Sequence, residues 1–248
     1  MNFSQQPIHS LRHVAIIMDG NNRWAKQRGS LGIIGHKAGV ERLRDVLSAC
    51  SVHSIEVLTV FAFSSENWQR PAKEVDALMS LFNLYLTNES KKLKKEGVRL
   101  RVIGSRERFS KKLRQSIEKA EKIACEGNRT LVIAADYGGQ WDIAEAAKKI
   151  AKKVVDGELS IDSIDAQAVE GHLCTLDLPP LDLLIRTGGE KRISNFLLWQ
   201  AAYAELHFSD VLWPDFDRQC LDDAVEDYQQ RQRRFGLTGD QINQLGSS

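Results

Sequence analysis

The sequence predicts an α/β fold: a single domain with a mostly parallel central sheet of about six strands flanked by helices. Short runs rich in aliphatic and β-branched residues alternate with longer helical patterns, which is typical of strands joined by right-handed crossovers. No repeat, low-complexity tract or linker divides the chain. We therefore expect one domain over residues 1–248, with flexible ends at 1–11 and 237–248.

Each strand is predicted from a short apolar run bounded by polar or glycine-containing segments. These runs lie at 13–18, 56–63, 98–103, 131–135, 181–185 and, with the weakest pattern, 206–208. Helices are expected near 36–52, 72–95, 107–126, 140–155, 195–203 and 218–235.

Composition excludes several classes of protein. The 34 basic side chains nearly cancel the 33 acidic ones, so no general positive field favours nucleic acid. The four cysteines form no C-x-x-C pair and have no histidine at ligand spacing, which argues against a zinc site or a disulfide framework. The sequence shows neither a signal-peptide pattern nor an apolar run of about 20 residues that could cross a bilayer, so a cytoplasmic protein is expected.

Polar clusters follow four of the predicted strands. They are M-D-G-N-N-R-W, S-S-E-N-W-Q-R-P, D-Y-G-G-Q-W-D and R-T-G-G-E-K-R-I-S-N-F. In an open parallel sheet the carboxyl ends of the strands meet at one edge, where α/β proteins bind ligands. We therefore expect all four clusters to converge on one site.

The first cluster, which begins at Asp19, indicates an anion site with a metal. Gly20 permits a tight turn, a helix starting near Trp24 would present free N–H groups, and Arg23 suits phosphate. Asp19 would repel a phosphate unless a divalent cation lay between them, and Mg²⁺ commonly uses one or two protein carboxylates plus substrate oxygens. The alternative is a helix turn that Asp19 caps. No Walker motif is present.

The fifth strand is followed by a second group of candidate ligands. Arg186, Arg192 and Ser194 suit a second diphosphate, and the glycine pair between the two arginines lets the chain bend around it. A structural ion-pair cluster with Glu190 is the alternative.

The segment 64–71 combines hydroxyls, a carboxylate, an amide, an aromatic ring and Arg70. The amide of Asn67 is no strong base, but it can orient a substrate near the reacting carbon, and Trp68 would form an aromatic wall. A capping turn before the next helix explains the same residues. His36 either donates to a phosphate oxygen, serves in acid/base work, or is an ordinary surface or cap residue.

The helix at 75–93 is apolar almost all round over L-M-S-L-F-N-L-Y-L (78–86). Such a helix is normally buried core. Alternatively, one of its faces lines a hydrophobic tunnel.

Three long motifs resemble the cis-prenyltransferases. They are H-V-A-I-I-M-D-G-N-x-R-W-A, F-A-F-S-S-E-N-W-x-R-P and I-R-T-G-G-E-x-R-I-S-N-F-L-L-W-Q, the last followed by A-Y-A-E-L-x-F-x-D-x-L-W-P-D-F. The resemblance covers residues 12 to 236. It implies a Mg²⁺-dependent condensation of isopentenyl diphosphate onto farnesyl diphosphate that yields the undecaprenyl carrier lipid, by a homodimer that contacts the inner leaflet for product release.

The resemblance also implies roles for single residues. Asp19 is the essential acid and metal ligand, Glu205 is a second metal-associated carboxylate, and Asn67 assists proton removal. The resemblance places the allylic diphosphate against Gly20, Asn21, Asn22, Arg23, Trp24, Gly32, His36 and Arg70. It places the homoallylic diphosphate against Arg186, Arg192, Ile193 and Ser194. The rest of the pocket would be formed by Ser64, Ser65, Glu66 and Trp68. The C-terminal segment 230–236 would support the neighbouring site in the dimer.

Three positions depart from the family pattern. Asn22 stands where bacterial members usually have glycine, Gly32 where many carry a phosphate-contacting arginine, and Lys191 where histidine is frequent. At Gly32 the cationic contact is either missing or supplied by Lys26 or Arg28. Two other functions use the same residue types: a magnesium-dependent phosphoester hydrolase, and a noncatalytic partner subunit of a prenyltransferase.

Overall fold

The computed structural model describes residues 10–231 and contains one six-stranded sheet. The strands are β1 (His13–Ile17), β2 (Val57–Ser64), β3 (Val98–Ile103), β4 (Arg129–Tyr137), β5 (Leu183–Arg186) and β6 (Glu205–Phe208). The helices are α1 (Asn21–Gln27), α2 (Gly32–Val52), α3 (Ala72–Lys95), α4 (Lys111–Ile123), α5 (Gly139–Val155), α6 (Ala166–Glu170) and α7 (Arg218–Gln230). Short 3₁₀ turns cover Ser65–Gln69, Ile161–Ser163, Gln200–Tyr203 and Trp213–Asp215.

The strand order is β3-β4-β2-β1-β5-β6, and every pairing is parallel. Ile17 at the end of β1 lies level with Phe61 of β2 and Arg186 of β5. The loops that follow these three strands therefore leave the sheet side by side. All six predicted strands are confirmed, and no strand end shifts by more than two residues.

Both faces of the sheet are covered by apolar side chains, which is why the strands read as continuous hydrophobic runs. The larger core cluster packs the helices α2, α3, α4 and α7 against one face. The smaller cluster, on the other face, is built around Tyr137, Phe196 and Leu197. The two clusters and the sheet between them form one α/β unit over the described residues.

The helix predicted at 195–203 is wrong. Ser194, Asn195 and Leu197 have φ angles of 47°, 61° and 46°, in the left-handed region that an α-helix of L-residues cannot use. Only the 3₁₀ turn Gln200–Tyr203 remains. The apolar letters that suggested a helix reflect burial of Phe196 and Leu197 in the smaller core cluster.

Other helix predictions need smaller corrections. The helix expected to begin near Trp24 begins at Asn21, and the one expected at 107–126 spans Lys111–Ile123. No helix within residues 10–231 is long and apolar enough to cross a membrane. Of the ends predicted to be flexible, 1–9 and 237–248 lie outside the described residues, as does the rest of the segment from 232 onward.

Candidate active site

A cavity of about 760 Å³ opens at the carboxyl edge of the sheet. Three of the four polar clusters line it. The expected ligands on its wall are Asp19, Gly20, Asn21, Asn22, Arg23, His36, Ser64, Glu66, Asn67, Arg70, Arg186, Arg192 and Ser194. The structure thus brings together residues that are up to 175 positions apart in sequence, Asp19 and Ser194.

Asp19 lies between two arginines. Its Oδ2 accepts a hydrogen bond from Arg186 Nη2 at 2.9 Å, and its Oδ1 lies 3.3 Å from Arg23 Nη2. The capping alternative is wrong, because the N-cap of α1 is Gly20 and the Asp19 carboxylate faces the arginines. Asp19 is the one acid in the M-D-G-N-N-R-W cluster. Its neighbours Arg23 and Arg186 carry the positive charge that attracts phosphate.

Two glycines make this arrangement possible. Gly20 has a φ of 109°, and a Cβ there would lie 2.8 Å from the Leu212 side chain. Gly188 has a φ of 84°, and a Cβ there would lie 2.6 Å from Arg23 Nη2 and 3.1 Å from the Asp19 carbonyl. Both positions need a conformation that glycine adopts without strain.

Arg186 is the most buried cation of the cavity, with 4% of the residue exposed. Its Nη1 donates to Ser194 Oγ at 2.7 Å and to the Arg192 carbonyl at 2.6 Å. Its Nε is buried and has no hydrogen-bond partner among the described residues. Burying a guanidinium is costly unless its donors are satisfied, so this site is built to receive further acceptor oxygens.

Arg192, unlike Arg186, lies in a solvent-exposed environment, and an acid lies beside it. Its guanidinium is exposed and lies 2.5 Å from Glu190, so the ion-pair alternative holds for this one residue. An exposed pair of this kind contributes little to stability. Arg192 is therefore free to exchange Glu190 for a ligand at small cost.

The segment after β2 forms the capping turn that the sequence suggested. Asn67 Oδ1 accepts from the Ser64 backbone N–H at 3.0 Å, and the two residues form a reciprocal capping box. Arg70 follows the turn and lies 3.0 Å from Glu74 on α3. The turn therefore holds the Asn67 amide and aims Arg70 at the cavity.

His36 contributes a neutral ring. Burial lowers its pKa to about 4, with the nearby Arg70 acting in the same direction and Glu74 opposing. Its Nε2 is buried without a hydrogen-bond partner among residues 10–231. A neutral imidazole can donate one N–H to an oxygen ligand at physiological pH.

The apolar wall of the cavity comes mainly from α3. Cavity-facing side chains on this helix are Leu78, Met79, Leu81, Phe82 and Tyr85. The buried-core interpretation of residues 78–86 holds for Leu86, which is 1% exposed, whereas the alternative, a lining face, fits the cavity-facing side chains. Opposite walls come from the strands and α2, including Leu43, Val60, Ala62, Ile133 and Ala135.

Neither Trp68, the predicted aromatic wall, nor Trp24, an expected contact of the allylic diphosphate, lines the cavity. Trp68 packs edge-on against Phe63, with ring centroids 5.2 Å apart, and does not line the cavity. Trp24 lies outside, where its Nε1 donates to Asp215 at 2.7 Å and the Arg28 guanidinium stacks on its ring at 4.0 Å. Neither Arg28 nor Lys26 lines the cavity, so neither replaces the missing cation there.

Further expected site residues lie off the cavity wall. They are Gly32, Ser65, Ile193 and Glu205. Glu205 begins β6 and pairs with Leu183, so it sits at the amino end of its strand, away from the edge that carries Asp19. There it lies 3.0 Å from Arg231. Within one chain the structure does not bring Glu205 to Asp19.

The fourth polar cluster does not line the cavity either. Its Tyr137 donates to Asp142 at 2.9 Å in the buried interior, and its Asp136 is buried against Arg108. The cluster instead lies behind the cavity and supports the loop that carries Ser194 and Asn195. Sequence reasoning assigned it to the site because it follows a strand.

Two cavity-lining residues with hydrogen-bonding side chains, Trp213 and Asn195, were not predicted. Trp213 is buried and donates to the Gly39 carbonyl at 2.9 Å. Asn195 follows Ser194 directly in the R-I-S-N-F motif, so its position in a strand-end loop was a usable signal. Trp213 lies in the L-W-P-D-F part of the family motif, five residues after the last predicted strand, but no role in the site was assigned to it.

Mg²⁺ fits the donor set of this cavity. Asp19 offers one partly exposed carboxylate at the wall, and Mg²⁺ commonly uses one carboxylate together with diphosphate oxygens and waters. The described residues contain no cluster of three or more His, Cys, Asp or Glu that would hold a metal by themselves. Any ion here would therefore depend on a ligand that brings its own oxygens.

Comparison with known proteins gives the family. Residues 17–236 match the prenyltransferase family described as "Putative undecaprenyl diphosphate synthase". The chain belongs to this cis-prenyltransferase family. It is 56% identical to the ditrans,polycis-undecaprenyl-diphosphate synthase ((2E,6E)-farnesyl-diphosphate specific) of Pseudomonas aeruginosa over 232 residues, which is 93% of this chain and 92% of that protein. The enzyme of the same name from Escherichia coli K12 is 53% identical, covering 94% and 92%.

Solved structures show the same cis-prenyltransferase fold. Lavandulyl diphosphate synthase from Lavandula x intermedia, in complex with dimethylallyl diphosphate, superposes with a TM-score of 0.88 at 39% identity, covering 92% of this chain and 98% of that one. A probable undecaprenyl diphosphate synthase from Campylobacter jejuni gives 0.76 at 32% identity, covering 91% and 98%. The predicted family and fold are confirmed.

Proposed function

We propose that this chain condenses isopentenyl diphosphate repeatedly onto farnesyl diphosphate, with new cis double bonds, to give undecaprenyl diphosphate, the precursor of the carrier lipid for peptidoglycan and other cell-wall glycans. One observation carries the proposal: a single cavity joins an arginine-flanked carboxylate, Asp19, to the apolar face of α3. Diphosphate heads and a growing hydrocarbon chain require both surfaces. The names of the relatives support farnesyl diphosphate as the primer and undecaprenyl diphosphate as the product.

The allylic diphosphate is assigned to the first strand-end loop. Arg23 and Arg70 supply charge, Gly20 to Asn22 allow a close approach of the backbone, and neutral His36 supplies one N–H. When the allylic C–O bond breaks, negative charge grows on the departing diphosphate, and fixed cations stabilise it as it develops. α1 is only seven residues long, so the arginines contribute more here than the helix terminus does.

The homoallylic diphosphate is assigned to Arg186, Arg192 and Ser194. Arg186 already holds Ser194 in place, and its unpartnered Nε is available to a further oxygen. Arg192 can leave Glu190 for the ligand. The π electrons of its double bond attack the allylic carbon as the C–O bond to the departing diphosphate breaks. The proton lost from the resulting cation passes to the departing diphosphate or to water. Asn67 orients the reacting group, since an amide cannot itself take the proton.

Mg²⁺, when bound, would neutralise diphosphate charge and draw electrons from the breaking C–O bond. Asp19 is the residue that would hold it, which explains an acid among so many phosphate-binding groups. Glu205 as a second metal-associated carboxylate remains part of the proposal only through the family resemblance. Its place at the amino end of β6 gives it no such contact in one chain.

The proposal also includes a cytoplasmic homodimer that contacts the inner leaflet of the membrane during product release. This part rests on the family resemblance and on the poor solubility of a long polyprenyl chain in water. Sedimentation of the purified protein tests the dimer, and flotation with lipid vesicles tests the membrane contact.

Product analysis tests the function. The purified protein is incubated with farnesyl diphosphate, labelled isopentenyl diphosphate and Mg²⁺, and the products are sized by chromatography. We expect undecaprenyl-length products that disappear when Mg²⁺ is chelated. Absence of any chain longer than the primer would overturn the proposal and favour a noncatalytic partner subunit. Release of phosphate from the primer without chain growth would favour a phosphoester hydrolase.

A further inference from the structure

Asn195 joins three loops at the carboxyl edge of the sheet. Its Nδ2 donates to Glu66 Oε1 at 2.9 Å, in the turn after β2. Its Oδ1 accepts from the Gln140 backbone N–H at 2.9 Å, and its carbonyl accepts from the Gly139 N–H at 2.6 Å, both at the start of α5. One residue thus connects the loops that follow β2, β4 and β5.

The backbone conformation at Asn195 and the absence of a side chain at Gly138 allow these contacts. Asn195 and Ser194 both adopt the left-handed conformation, which asparagine tolerates better than most residues. Gly138 leaves the space that Asn195 fills, since a Cβ there would lie 2.7 Å from Asn195 Nδ2 and 2.8 Å from Ser65 Oγ. The D-Y-G-G-Q-W-D segment therefore contributes to the site by seating Asn195.

The loops after β2 and β5 carry proposed ligands of different diphosphates. Ser194, the neighbour of Asn195, accepts from Arg186 on the homoallylic side. The turn Ser65–Gln69 contains Asn67 and leads to Arg70 on the allylic side. Condensation needs the two reacting carbons within about 3–3.5 Å, and a misplacement of about 1 Å can cost a hundredfold in rate.

We propose that Asn195 is a positioning residue that sets the separation of the two diphosphate subsites by holding Glu66 and the start of α5 at once. The inference rests on the proposed function. It assigns Asn195 no contact with the reacting atoms and predicts an effect on kcat larger than the effect on the KM of either substrate.

The hydrogen bond from Asn195 also favours the ionised form of Glu66. Burial alone would raise the pKa of Glu66, but hydrogen bonds, the largest from Asn195, hold that pKa below its ordinary value. Glu66 is therefore ionised at neutral pH and acts as the acceptor. Because Glu66 is an exposed residue, this contact adds little to the stability of the fold.

A donor–acceptor exchange tests the proposal. Asn195→Asp is nearly isosteric and still accepts from the Gln140 N–H, but it places a second carboxylate against Glu66. We expect kcat to fall about a hundredfold. In the double variant Asn195→Asp/Glu66→Gln the amide introduced at position 66 donates to the carboxylate introduced at position 195, so kcat should recover at least about tenfold over Asn195→Asp. Glu66→Gln alone provides the reference, and thermal unfolding is measured for each protein.

The outcomes separate the inference from the function. A wild-type protein that elongates the primer supports the proposed function whatever the variants do. Full activity of Asn195→Asp, no recovery in the double variant, or a loss of activity that follows only a lower Tm would each overturn the role of Asn195. Glu66→Ala, at an exposed position that does not threaten folding, must also lower kcat more than it changes either KM, and a change in KM alone would contradict the proposal.

Discussion

Arg186 Nη2 and Asp19 Oδ2 lie 2.9 Å apart and connect the loops that follow β5 and β1. The two residues are neighbours because Ile17 and Arg186 share a register position in adjacent parallel strands. Thr187 strengthens the connection, since its Oγ1 accepts from the Asp19 N–H at 3.0 Å. The carboxylate and the buried guanidinium therefore form one preorganised unit between the proposed subsites.

Asp19→Asn should remove catalysis and leave the fold intact. The amide can still accept from Arg186, but it carries no charge for a metal. We expect kcat to fall by at least about a thousandfold, with a Tm close to that of the wild type. Steady-state kinetics and thermal unfolding measure the two effects, and substantial remaining turnover would contradict the role of Asp19.

Gly32→Ala should act through Asn22. A Cβ at Gly32 would lie 2.3 Å from Asn22 Oδ1, so the amide must move away from Glu74, to which it donates at 3.3 Å. Loss of that exposed hydrogen bond beside Arg70 should raise the KM for the allylic substrate by about two- to fivefold. The Asn22→Gly/Gly32→Ala variant should match Asn22→Gly alone, since no clash remains.

Gly171→Ala is the matched control for that experiment. Gly171 has an ordinary right-handed φ of −65°, and an added Cβ there makes only normal contacts. Its KM should equal that of the wild type. An unchanged KM in Gly32→Ala would show that Asn22 does not influence the allylic subsite.

Ala62→Leu should shorten the product. Ala62 belongs to β2, lines the cavity and is exposed to it, so a larger side chain takes space that a long hydrocarbon would occupy. We expect a shift to shorter chains while the first condensation continues. Ala62→Ser, which preserves the volume, should keep the wild-type product length. Identical product distributions for the leucine and serine variants would place the growing chain elsewhere.

Acid should weaken the fold through His13. Burial lowers its pKa to about 4 in the folded state, while its ring contacts the Pro179 carbonyl and Thr59 Oγ1. The unfolded state, with a pKa near 6.5, binds the proton more readily between these values, so stability falls as pH drops from 6.5 towards 4. The full effect is about 3 kcal/mol.

Urea unfolding at pH 7 and pH 5 measures this effect. The free energy of unfolding should be lower at pH 5 in the wild type, and a His13→Gln variant should show a smaller difference between the two pH values. Equal pH dependence in both proteins would assign the acid sensitivity to other groups.

The sequence was sufficient to predict the strands because both faces of the sheet are buried and each strand is a continuous apolar run. It also predicted the edge at which Asp19, Arg70 and Arg186 meet, since parallel topology fixes where strands end. The helix predicted at 195–203 was wrong because a run of buried apolar residues resembled the apolar pattern of a helix. The letters F-L-L-W suggested a helix, but left-handed residues at 194, 195 and 197 prevent one.

The direction of side chains was harder to predict than the position of loops. Trp68 lies in a loop that borders the cavity, yet its ring packs into the core against Phe63 and Phe109. Glu205 shows a different limit: its position just before the predicted strand 206–208 already indicated the amino end of β6, and only the family resemblance assigned it to the metal. Asn195 was missed because its role depends on contacts with loops far away in sequence.

A crystal structure of the protein with Mg²⁺, isopentenyl diphosphate and a slowly reacting thiolo analogue of farnesyl diphosphate tests the central claim most directly. We predict the analogue diphosphate beside Arg23, His36 and Arg70, its hydrocarbon along α3, and isopentenyl diphosphate on Arg186, Arg192 and Ser194, with the metal held by Asp19. Either diphosphate bound outside this cavity, or a metal without contact to Asp19, would contradict the account.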